Sequence, residues 1–198
     1  MTSKSTLPSL FTSSIATRHG AGPAATGEPA ASLKPPLPSP RLYQHLDAHV
    51  DRLGERVKKV AEERPRATLL MTHPGVGSVT ALATEVFVGD PARFLDGKAL
   101  ASYVGMIPSE YSSGKRQRLG ALTKQGNPFL RFLWCEAAAH AVRRDPDLQR
   151  FYRRKVAQKG FAKANVAAAR KLGIRLWIML RDQINYAEFC RRGLARQS

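Results

Sequence analysis

From Arg41 to Arg64 the apolar positions Tyr43, Leu46, Val50, Leu53, Val57 and Val60 recur at spacings of 3, 4, 3, 4 and 3. That alternation predicts an amphipathic helix of coiled-coil type over residues 41–65, and Pro65 ends it. The stripe serves either to pack on its own domain or to pair with a partner chain or second copy, because so short a coiled coil is marginal alone. The pattern then changes. Leu69, Leu70 and Met71 close a short helix, Thr72-His73-Pro74-Gly75-Val76-Gly77 turns the chain, and Ser78 is expected to cap a helix carrying Val79, Leu82, Ala83 and Val86 on one side. Helix, Pro-Gly-apolar-Gly, helix over residues 66–87 is the pattern of a helix–hairpin–helix.

Further along, Gly89-Asp90-Pro91 reads as a turn, and Asp96 caps a helix through Tyr103 that Gly105 and Pro108 end. Asn127-Pro128 is an N-cap followed by proline in the first helical position, opening a helix to about Arg143 with Phe129, Phe132, Leu133, Ala137, His140 and Ala141 inward. Asp147 to Lys159 forms another, with Leu148, Phe151, Tyr152 and Val156 inward, stopped by Gly160. Lys163 to Asp182 and Tyr186 to Arg192 complete a mainly α chain, whose residues 66–198 form a helical domain. Residues 1–40 carry neither period, being rich in Ser, Thr, Pro, Ala and Gly. They read as a disordered tail ending in a polyproline-type spacer.

Charge changes the picture most. The 198 residues carry a formal +17, and between Ser113 and Arg175 there are 16 Lys and Arg against three acids. A surface that positive calls for a polyanion, and nucleic acid is the usual one. Cys135 and Cys190 belong to no CxxC or Cys/His set and are expected as reduced thiols of a cytoplasmic protein. No apolar run is long enough for a membrane span. His73 has no second ligand at zinc-like spacing and reads as a turn residue or phosphate contact, so no metal site is expected in this chain.

Two places then carry candidate chemistry. In the hairpin, Gly75 and Gly77 let backbone approach a phosphate and the amides after Ser78 face it, or else they serve turn geometry alone. In the breaker-flanked loop Glu110-Tyr111-Ser112-Ser113-Gly114-Lys115-Arg116, two hydroxyls stand beside Lys115, Arg116 and Arg118. Cations there could stabilise a phosphorane-like state, but nothing adjacent supplies a base for the hydroxyl. Lys124 and Arg131 extend this candidate DNA-binding set.

The motifs PGVGSVTA, GDPARFLDGKALASYVGMIPSEYSSG and LTKQGNPFLRFLWCEAA stand in order, and the stretch from Leu69 to Arg181 resembles the C-terminal domain of the insertion-sequence 110 transposases and Piv-type DNA invertases. That resemblance implies a serine, here Ser113 directly before Gly114, that attacks the DNA backbone to form a phosphoserine link, with Ser112 beside it. It implies a guide RNA in related members. It also implies an N-terminal RuvC-like domain whose four acids hold magnesium. Residues 1–40 hold only Glu28, and Asp47, Asp51, Glu55, Glu62 and Glu63 follow no RuvC-like strand pattern. The expectation is therefore a DNA-binding, serine-bearing portion, truncated and inactive alone. The competing expectations are a non-enzymatic helix–hairpin–helix module binding DNA or RNA and a structural RNA-binding protein of ribosomal type.

Overall fold

The computed structural model describes residues 39–110 and 119–195. Of the tail expected over residues 1–40, residues 1–38 lie outside them and Pro40 already opens a helix; Tyr111, Ser112, Ser113, Lys115, Arg116 and Arg118 lie outside them too. The described residues are mainly α-helical. α1 (Pro40–Glu62) is followed by α2 (Pro65–Met71), α3 (Ser78–Val88), a 3-10 turn at Pro91–Arg93 and α4 (Gly97–Val104). A two-stranded antiparallel ribbon comes next, β1 (Pro108–Glu110) against β2 (Leu119–Leu122). α5 (Pro128–Ala141), α6 (Pro146–Lys159), α7 (Phe161–Asp182) and α8 (Tyr186–Ala195) complete it.

Local signals set most helix boundaries. Asp96 Oδ1 accepts the Ala99 amide at 2.7 Å, and Asn127 Oδ1 accepts those of Phe129 and Leu130 at 2.9 and 3.1 Å. Asp145 caps α6 the same way, through the Leu148 amide at 2.9 Å. Gly105 ends α4 with φ 76°, in the left-handed region where glycine escapes the Cβ penalty. Ser78 does not cap α3. Gly77 is extended (φ −93°, ψ 176°) and holds the cap position, and Ser78 is already the first helical residue, so no side chain caps that end.

α7 is the central pillar, packing against α2, α3, α4, α5, α6 and the 3-10 turn. Trp134 of α5 lies where a Cβ on Gly173 of α7 would stand, so glycine in mid-helix is what lets the indole in. The Trp134 ring nitrogen donates to Thr84 Oγ1 at 3.0 Å, and that of Trp177 donates to the Pro91 carbonyl at 2.9 Å. Both indoles are therefore buried with their polar atom satisfied.

This packing corrects the expected face of α5. Phe132 is 58% exposed, Phe129 and His140 are also exposed, and Leu130, Leu133, Trp134, Ala137, Ala138 and Ala141 are buried. Apolar residues surround that helix, so its own period could not choose the phase; the small-residue side that admits α7 did. His140 is accordingly a surface residue, not a core histidine. α1 follows its heptad pattern yet buries only Ala61. Leu46, Val50 and Leu53 are exposed. Among the described residues no helix is long and apolar enough to cross a membrane.

Candidate nucleic-acid interface

The ribbon grows from a clasp of two glycines. A Cβ on Gly105 would strike the Gln125 carbonyl, and one on Gly126 would strike the Tyr103 carbonyl, so the chain entering the ribbon and the chain leaving it cross in direct backbone contact. The Lys124 amide donates to Gly105 O at 3.2 Å and the Thr123 amide to Ile107 O at 2.9 Å. Lys124 itself takes a left-handed φ of 53° and its side chain is exposed. Ser109 Oγ donates across the strands to Ala121 O at 2.9 Å. Residues 111–118, with the paired serines and three cations, join the two strands in sequence.

Arg131 is half-buried and donates to the Val104 carbonyl at 2.9 Å, fastening the first turn of α5 to the end of α4 beside the clasp. Its guanidinium thus has a structural partner, and only its remaining donors face outward chemistry.

At the other end of α5 sits the α2–α3 turn. Gly75 has φ 86°, and a Cβ there would lie 2.5 Å from the Ala141 amide nitrogen. Close approach to α5 therefore accounts for Gly75. Gly77 differs: it is exposed, nothing would meet its Cβ within 4 Å, and it opens the uncapped N-terminus of α3. With Arg131 near the start of α5 and Ala141 at its end, ten residues of helix put the clasp and the turn about 15 Å apart along that axis. Neighbours in the sequence motif are separated in space by a helix length.

His73, read as a turn residue or phosphate contact, is buried at 1% exposure and reaches no phosphate. Its Nδ1 donates to Pro74 O at 2.9 Å, which leaves Nε2 unprotonated, without a hydrogen-bond partner and 3.9 Å from Asp145 Oδ2. Burial lowers its pKa to about 4, with the Arg175 guanidinium adding to the effect. Burial acts to raise Asp145, but the Leu148 amide and Arg175 outweigh it and hold this carboxyl below its ordinary value. Arg175 pairs with both Asp145 and Asp147, and Lys171 joins Asp147 at 2.9 Å. Tyr186 of α8 lays its ring 4.6 Å from the imidazole, and burial raises its phenol pKa. This cluster ties the turn to α6, α7 and α8. Arg175, counted in the sequence among the cations free for phosphate, is spent inside the protein. Asp145-Pro146 repeats the Asn127-Pro128 signature, which was the available signal for the cap; the long-range pairing had none.

Exposed cations remain on α6 and the start of α7, among them Arg150, Arg153, Arg154, Lys159 and Lys163. Among the described residues no three His, Cys, Asp or Glu side chains gather in a group that could hold a metal ion. Cys135 and Cys190 are free and half-buried, and burial raises the Cys135 thiol.

A basic helical domain with a pinned ribbon is the class of molecule these features define. The family model for "Transposase IS116/IS110/IS902 family" matches residues 67–153, and this chain carries that transposase family's domain. It is 31% identical over 134 residues to a probable family 20 transposase of Pseudomonas aeruginosa, covering 68% of this chain and 38% of that protein. It is 29% identical over 152 residues to the transposase for insertion sequence element IS1111A of Coxiella burnetii, covering 73% and 42%. Over 106 residues it is 36% identical to the pilin gene-inverting protein of Moraxella lacunata, covering 52% and 33%. The chain thus spans about two-fifths or less of the length of these relatives.

Proposed function

We propose that this chain supplies the DNA-contacting and serine-nucleophile portion of a transposase that cleaves and rejoins DNA strands. The observation carrying the reading is the glycine-clasped ribbon, which anchors both ends of the segment holding Ser113. A nucleophile must be held to within a fraction of an ångström of its target, and a closed backbone clasp is one way to set that segment's root. Ser113 Oγ attacks a DNA phosphorus, forms the phosphoserine ester and expels a deoxyribose hydroxyl, while Lys115, Arg116 and Arg118 stabilise the charge that develops on the phosphoryl oxygens. Exposed cations of α6 and α7 bind the backbone without reading sequence, so affinity should fall steeply with salt. A guide RNA would use the same cations.

The test is a denaturing gel of labelled DNA with the acidic domain of a full-length relative supplied in trans with magnesium. Ser113→Ala should abolish a protease-sensitive adduct and leave non-covalent binding within about twofold; Ser112→Ala should retain adduct. The 198 residues by themselves should give none. An adduct that survives Ser113→Ala removes the serine from its role.

A second reading, a binding module without chemistry, is favoured by Gly77, which opens an uncapped helix end to solvent where amides can meet a phosphate. Gly77→Val would then weaken DNA binding about fivefold at every sequence, since backbone contacts carry no base information. Unchanged affinity in a folded variant takes the turn out of the interface.

A further inference from the structure

Between the ribbon and the α6–α7 corner runs an open groove of about 450 Å³. One wall is Met106, Pro108 and the β2 residues Gly120, Ala121 and Leu122; the other comes from α6 and the first half of α7. Half-buried aliphatic side chains of Leu122, Val166 and Ala167 form its floor, exposed Ala162, Lys159 and Lys163 stand at its rim with Lys155 and Arg170, and no carboxylate is among its described lining residues. Lys155, Ala167 and Arg170 also line a second groove of about 570 Å³ along α7, where Phe151 and Phe189 add aromatic surface. The two grooves meet at those three residues and are treated together as a trough; the second also carries Asp147, whose charge is paired with Lys171 and Arg175. Lys171 already stands 4.9 Å from the Phe151 ring centre, which shows that this ring accepts a cation on its face.

A duplex offers such a trough only phosphates and sugars, and its base faces are stacked away. An apolar floor gains nothing from that surface. An unpaired strand exposes base faces for the floor and phosphates for the rim, the combination that single-strand grooves use. We propose that this trough binds an unpaired stretch of the DNA strand that lies next to the scissile phosphate, holding it open beside the ribbon. The assignment of the strand to DNA rests on the transposase reading above; the requirement for unpaired bases rests on the trough alone.

The test is fluorescence anisotropy of the full chain at one fixed salt concentration with three probes: a labelled thymidine 12-mer, an abasic 12-mer with the same phosphates, and a 12-base-pair duplex. The thymidine strand should bind about tenfold tighter than the abasic one. Ala167→Leu, which fills the floor without altering charge, should lower thymidine-strand affinity about tenfold and duplex affinity less than twofold. Should Ala167→Leu fail to fold, Ala162→Leu at an exposed position of the same wall replaces it. Equal binding of thymidine and abasic strands, or equal losses for strand and duplex, would overturn the proposal and leave the trough as part of a general electrostatic footprint. Ser113→Ala should change none of these affinities. Base-dependent binding without any serine adduct would therefore sink the chemistry and keep the trough, and the reverse result would do the opposite.

Discussion

α1 and α7 are nearly the same length, 23 and 22 residues, and both are regular helices with an apolar period. α1 buries one residue, Ala61, and leaves Val50 66% exposed. α7 buries ten, including an arginine and a glycine. Periodicity predicted both helices equally well, because it reports what a helix can bury and not what arrives to cover it. What separates them is the side-chain size and polarity of the buried face. α7 offers Ala164, Ala168, Ala169 and Gly173, which let other helices close in, and Arg175, which draws in two carboxylates. α1 offers a continuous large-residue seam, the form suited to another helix of its own kind.

The strongest way to break the contrast is to spoil the pillar. Gly173→Ala puts a methyl into space that the Trp134 ring occupies, and Trp134 is fixed by Thr84. Overpacking at a rigid ring should cost about 1–3 kcal/mol or more and lower the melting temperature by several degrees. A variant melting with the parent would show that α7 is not the element on which the others depend.

Acid should loosen the same pillar through His73. Its pKa falls from 6.5 to about 4 on folding, so between those values the unfolded chain binds the extra proton and stability rises with pH. Full stability is expected above pH 6.5, with roughly 2–3 kcal/mol lost as pH falls to 4. Asp145, held below its ordinary value, extends the loss at still lower pH. Urea melts of the parent and of His73→Gln across this range would check it; an equal slope in both assigns the titration elsewhere.

α1 should behave in the opposite sense. Leu46→Lys with Leu53→Lys alters two exposed side chains and should shift domain stability by no more than about 0.5 kcal/mol. Sedimentation velocity should nevertheless show loss of self-association, if the seam pairs with a second copy. Association that persists in the variant places the contact on another surface.

Legibility followed locality. Asp96, Asn127, Gly105 and Gly160 end or begin helices through groups one to four residues away, so their roles could be read directly. The α5 phase could not, because Phe129 and Phe132 are as apolar as Leu130 and Leu133, and only the arrival of Gly173 distinguishes them. His73 keeps its place in the turn but loses the phosphate-contact alternative, being buried against Asp145 and Tyr186, which lie 72 and 113 residues away. Gly75 and Gly77 share one motif, yet Ala141 explains the first and open space surrounds the second. For the site, breakers on either side of Ser112 and Ser113 marked a loop, and the paired strands that flank it, β1 and β2, carried no period of their own. The ribbon's anchoring was not legible either, because a glycine's carbonyl neighbour across a chain crossing leaves no trace in spacing.

That crossing also bears on how such a domain can change over time. Gly105 and Gly126 close the ribbon at its root, so the domain does not depend on the intervening chain to bring its ends together. Lengthening a closed loop costs only about 0.6 kcal/mol per doubling. Residues between β1 and β2 can therefore be lengthened, exchanged or recoded with little penalty to the helical body, while either glycine tolerates almost nothing. The sequence between the strands is free to vary without refolding the helical body that carries it.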